Sequence, residues 1–126
     1  MVVASPWSYS KNFFEFAKSL IRSVSQDDFG TAFAHLDHSR TPWSRTRFVS
    51  ALREREGGAV TSPDEQRRSA EPTLLHSASN DVFDVLHRLP IDERWSDTAI
   101  HLRFTRGKGD YFHVELLGFV DASRQL

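Results

Sequence analysis

The chain has 126 residues, 39% of them hydrophobic and 26% charged, with ten Phe and no Cys. That length holds one domain able to bury roughly two thirds of its unfolded surface, and the missing Cys excludes disulfides, thiolate metal sites and a Cys nucleophile. The formal net charge is −1, divided as +2 over residues 1–63 and −3 over residues 64–126, so neither half has the basic excess that binding a nucleic-acid backbone demands.

Phe13, Phe16, Ala17, Leu20, Ile21 and Val24 recur at i, i+3, i+4, i+7, i+8 and i+11, which predicts a helix over 11–25 with one apolar face. Ser8 or Ser10 can cap its first turn. Asp27 or Asp28 can cap a second, shorter helix, where Phe29, Ala32, Phe33 and Leu36 repeat the pattern. Gly30 inside it costs about 1 kcal/mol relative to Ala, so packing must hold that helix. A third helix is expected to open with Thr41 as N-cap, Pro42 in the first turn and Trp43 as first apolar residue. It continues through Phe48, Val49 and Leu52 and ends at Gly57-Gly58. Residues 58–80 read as a polar connection, in which Ser62-Pro63-Asp64-Glu65 can form a capping box.

Near residue 82 the period changes to two. Phe83, Val85, His87 and Leu89 alternate with Val82, Asp84, Leu86 and Arg88. Ile100, Leu102 and Phe104 alternate with His101, Arg103 and Thr105. Phe112, Val114, Leu116 and Val120 alternate with Tyr111, His113, Glu115, Leu117 and Phe119. Each strand therefore has one greasy face and one mixed face. Arg106–Asp110 forms the turn between the last two. Keeping Phe104 and Phe112 on one face requires paired residue numbers with an even sum, hence an odd loop; a three-residue loop with Gly in the left-handed conformation fits. A sum of 216 places His101 opposite Glu115 and Arg103 opposite His113; a sum of 218 places Arg103 opposite Glu115.

The expected fold is one α+β domain over 1–126: three N-terminal helices (8–57) packed on a curved, cone-shaped antiparallel sheet of three to four strands (81–121). The order of elements, with Phe48–Leu52, Gly58–Pro63, Glu93–Thr98 and Asp110–Leu116, resembles the nuclear transport factor two-like (SnoaL-like, cystatin-like cone) superfamily. The resemblance covers nearly the whole chain. It implies a cone-shaped fold and, since several small bacterial members are immunity proteins beside secreted toxins, a toxin inhibitor among the expected roles. It carries over no catalytic residues.

Direct chemical signals are weak. His35 and His38 stand at a spacing that can bring two imidazoles to one side, but a polar helix end with His near the C-terminal dipole accounts for them equally well, and no metal site is assigned. His87, on the greasy face with Phe83, Phe104 and Phe112, marks a candidate cone pocket where a His could serve as general base; a core histidine bonded to backbone is the plainer reading. Gly107-Lys108-Gly109 joins two strands and so is no phosphate loop.

The mixed face carries Arg88, His101, Arg103, Tyr111, His113, Glu115, Leu117 and Phe119, rich in the aromatic and Arg side chains that protein interfaces favour. Thirteen of the sixteen bases are Arg. Protonating all six His would carry the net charge from −1 to +5, so association is expected to respond to mild acid. The resulting expectation is a non-enzymatic protein-binding module, foremost an immunity-type inhibitor of a cognate bacterial toxin, with homodimerisation through the same face also expected. The alternative is a small-molecule binder or isomerase- or dehydratase-like enzyme using the cone cavity. No cofactor, nucleic acid or membrane is expected as partner. Without a basic, apolar leader at MVVASPWSYS and without Cys, the expected location is cytoplasmic.

Overall fold

The computed structural model describes residues 2–3, 9–37, 42–62, 73–75 and 81–125. In chain order the elements are β1 (Val2–Val3), α1 (Tyr9–Ser25), α2 (Phe29–Ala34), α3 (Arg45–Arg53), β2 (Thr73–Leu75), β3 (Val82–Ile91), β4 (Arg94–Arg106), β5 (Tyr111–Asp121) and α4 (Ala122–Gln125). The fold is α+β, with helices packed on a curved antiparallel sheet that does not close. Of the expected features, Ser8, His38, Thr41 and the Pro63–Glu65 part of the capping box lie outside the described residues.

α1 is amphipathic as its spacing dictates: Phe13, Ala17, Leu20, Ile21 and Val24 are buried, while Lys11, Glu15 and Ser19 face solvent. Asp28 caps α2, its Oδ1 accepting from the Thr31 N–H at 3.1 Å. Hydrogen bonding from the Thr31 side chain, and then from its backbone N–H, holds the exposed Asp28 carboxyl below its usual range. α3 starts later than expected. Its N-cap is Ser44, whose Oγ accepts from the Arg47 N–H at 3.2 Å. Trp43 therefore precedes the helix, and its indole N–H donates to the Leu116 carbonyl at 2.6 Å, which a half-buried indole needs.

α3 also stops at Arg53, ahead of Gly57-Gly58. Gly58 serves a different purpose. It sits at φ +101°, and a Cβ there would overlap the Asp92 carboxylate. The bare backbone lets Ala59 donate to Asp92 Oδ1 at 3.0 Å and accept from the Asp92 N–H at 2.9 Å, docking this segment on the β3–β4 turn.

The sheet order is β1-β5-β4-β3-β2, antiparallel throughout. Two short edge strands bring the strands to five. One of them, Thr73–Leu75, lies within the span read as polar connection: three residues suffice to pair with Asp84–Leu86. The β3–β4 hairpin turns on Asp92 and Glu93, both at positive φ, as a two-residue hairpin with right-twisted strands requires. Gly107 donates to the Tyr111 carbonyl at 2.8 Å and Gly109 adopts φ +67°, so Lys108–Asp110 is the three-residue loop of the next hairpin. Arg103 pairs with Glu115 and Phe104 with Val114, the register whose numbers sum to 218.

That register changes once. Leu102 pairs with Leu116 but His101 with Gly118, leaving Leu117 as the extra residue of a bulge. Gly118, at φ +134°, supplies the backbone freedom. One added residue reverses every side chain beyond it. Phe119, expected on the mixed face, therefore turns inward and is only 8% exposed, while Val120, expected inside, turns to the other face.

The helix-covered face holds two nests of rings. Tyr9, Phe13, Phe83, Phe104 and Phe112 form one, with Phe13 stacked on Phe104 at 4.1 Å between centroids. Arg106 closes its rim, bonding the Tyr9 hydroxyl at 2.6 Å and Asp81 at 3.0 Å, with its guanidinium 4.9 Å from the Phe112 centroid. The second nest is Phe29, Phe33, Trp43, Phe48 and Phe119. On the opposite face Leu86, Ala99 and Ala122 make a small cluster with Leu75 and Val120 against it. α4, started by Asp121 accepting from the Ser123 N–H and hydroxyl, thus roofs one end of the mixed face.

The outer edge of β5 is covered from Tyr111 to Leu116. β1 pairs with Tyr111 and Phe112. Asp37 takes Val114, accepting from its N–H at 2.7 Å and donating to its carbonyl at 2.8 Å. Trp43 takes the Leu116 carbonyl.

Candidate protein interface

The part of the mixed face beyond α4 is carried by Asp84 on β3, His101 and Arg103 on β4, and Tyr111, His113, Glu115 and Leu117 on β5. The register makes Arg103 the centre, opposite Asp84 on one side and Glu115 on the other. Arg103 donates through Nε at 2.8 Å and Nη2 at 3.1 Å to the two Asp84 oxygens. Such a fork fixes the guanidinium plane. Burial opposes ionisation of Asp84, but the hydrogen bonds and charge of Arg103, with His101 adding, outweigh it and hold the carboxyl below its usual range. Arg103 is raised in turn, chiefly by its Asp84 hydrogen bonds and further by the charge of Glu115.

The remaining candidates divide by exposure. His101 is more enclosed than its alternation implied: its Nε2 is shielded from solvent without a hydrogen bond among the described residues, 3.6 Å from Asp84 Oδ2. Arg88, half-buried, stands 3.6 Å from Asp97 across the hairpin. His113 is exposed, with Nδ1 3.5 Å from Asp37 Oδ1. Burial opposes ionisation of Asp37 too, yet the Val114 N–H and His113 help keep its carboxyl low. Tyr111 is 50% exposed and Leu117 40% exposed. They offer apolar area on one strand, at either end of the row that includes Glu115. The alternation places Leu117 on this face, where it is found; what it misses is the bulge, for which Gly118 is the signal, since Gly inside a strand pattern marks one.

The candidate pocket residues do not converge on an open space. Phe83, Phe104 and Phe112 pack ring against ring with Phe13. His87, 2% exposed, has Nδ1 2.8 Å from the Arg88 carbonyl and its ring 5.9 Å from Trp95. That is the geometry of a core histidine tied to backbone. Among the described residues no three His, Asp or Glu side chains gather closely enough to hold a metal ion, and no helix is long and apolar enough to cross a membrane.

Comparison of the chain with family models, with curated proteins and with solved structures gives no match.

Proposed function

We propose that the chain is a non-enzymatic protein-binding module whose mixed sheet face receives a partner protein. The observation that carries this reading is the pairing of exposed apolar side chains, Tyr111 and Leu117, with a guanidinium already oriented by Asp84. Tyr and Arg are the side chains that most often dominate binding energy when a partner excludes water from them. Arg103 pays little further ordering entropy on binding, because two of its nitrogens are already held. Within this reading, membership of the nuclear transport factor two-like superfamily and the role of an immunity-type inhibitor are the specific proposal. The partner is then a cognate toxin, blocked by steric occlusion with charge complementarity from Arg103, Glu115 and His113.

The test is co-purification of the tagged chain with the product of the neighbouring gene, beside a Tyr111→Arg/Leu117→Asp variant. Retention by the parent chain and loss by the folded double variant support the reading. A partner that binds both equally, or a chain that elutes alone, rejects it. A chain that elutes as a dimer, and as a monomer once Tyr111 and Leu117 are changed, assigns the face to a second copy instead.

A further inference from the structure

The helical side carries a second concave feature, independent of the sheet face and of the interface assigned to it. The end of α1, the start of α2, the length of α3 and residues 58–60 enclose a groove of about 290 Å³. Val24, Phe29, Phe48, Leu52 and Val60 supply its apolar wall, and Ser25 with the charged residues supplies a polar one. Its charged lining residues are Asp27, Arg45 and Arg53. Arg45 is committed, donating through Nε to Asp27 Oδ1 at 3.0 Å with its guanidinium 5.7 Å from the Phe29 centroid. Arg53, in the last turn of α3, is exposed and has no hydrogen bond or ion pair among the described residues. Since Arg45 offsets Asp27, Arg53 is the groove charge left without an opposite partner among the described residues.

We propose that this groove binds a small amphipathic carboxylate, with its hydrocarbon part against Phe48 and Leu52 and its head at Arg53. The volume sets the size. At roughly 30 Å³ for each heavy atom, the share of a liquid water molecule, it holds about ten such atoms, at the lower limit for ligand pockets. A guanidinium without a partner among the described residues suits a carboxylate and disfavours an amine of the same length.

Calorimetric titration of the full chain with octanoate, and with octylammonium as the matched cation, tests this. The expected result is saturable octanoate binding at least about tenfold tighter than octylammonium. Arg53→Glu should weaken octanoate about tenfold or more while lowering the thermal midpoint only slightly, because the side chain is exposed but lies in the last turn of α3. Val49→Trp, which fills the groove from its wall, should abolish binding; if that variant does not fold, Arg53→Glu decides. Absence of saturable octanoate binding, equal affinity for the two ligands, or indifference to Arg53→Glu would overturn the proposal.

Discussion

The same three long strands supply both faces of the sheet, yet the faces are held by different forces. On the helix-covered side the two nests of rings interlock, and the energy is area removed from water. On the mixed side the contacts around Arg103 are polar and partly solvated, so each contributes little to stability and much to orientation. The first face can be dismantled only by unfolding. The second can be altered side chain by side chain, as a surface that meets partners must allow.

The sharpest way to break this contrast is Phe104→Ala. Its ring is fully buried and stacks on Phe13, so denaturant unfolding should show a loss of about 3–5 kcal/mol. Leu86→Ala asks whether the small cluster under α4 belongs to the same regime. With Leu86 at 3% exposure, a loss of about 2 kcal/mol or more would place it there, and a negligible loss would mark that end of the mixed face as unimportant to stability.

Asp37 and Asp84 sharpen the comparison by pH. Both carboxyls are held below their ordinary value in the folded chain. Each therefore adds stability that is present above the unfolded pKa, near 3.9, and is lost as pH falls through the folded value. Asp37→Asn should cost about 1–2 kcal/mol at neutral pH, since a backbone N–H loses its charged acceptor. Asp84→Asn should cost about 1 kcal/mol or less. Thermal midpoints of each variant and the parent should converge as the pH falls through the folded values, which lie below the ordinary carboxylate range. A gap that persists in acid would mean that geometry, and not charge, holds these contacts. The smallest effect belongs to Tyr111→Ser, expected to stay within about 0.5 kcal/mol of the parent in unfolding experiments while weakening partner binding.

What could be read in advance follows from periodicity. Phe13 to Val24 declare a helix face because the side chains that need burial recur at its turn, and Phe104 with Phe112 demand a common face whatever the loop. Phe119 defeats that logic because one inserted residue, Leu117, reverses the parity and carries no periodic signature. Trp43 defeats it differently: it follows a plausible cap, but its indole acceptor lies 73 residues further along the chain. Leu74 and Leu75 are too short a run to announce an edge strand. Within the candidate interface, residue types were visible from alternation. The Asp84–Arg103 fork was not, because it depends on the β3–β4 register, which the irregularity between Arg88 and Pro90 and the Asp92-Glu93 turn jointly set.

The covering of the outer edge of β5 has a consequence beyond folding. An unpaired ladder is a template on which another molecule can extend a sheet. Here β1, Asp37 and Trp43 occupy successive positions of that ladder, two of them by a carboxylate and an indole that no incoming strand can imitate. Strand addition along Tyr111–Leu116 must first evict all three, so this stretch carries its own stopper against templated self-assembly.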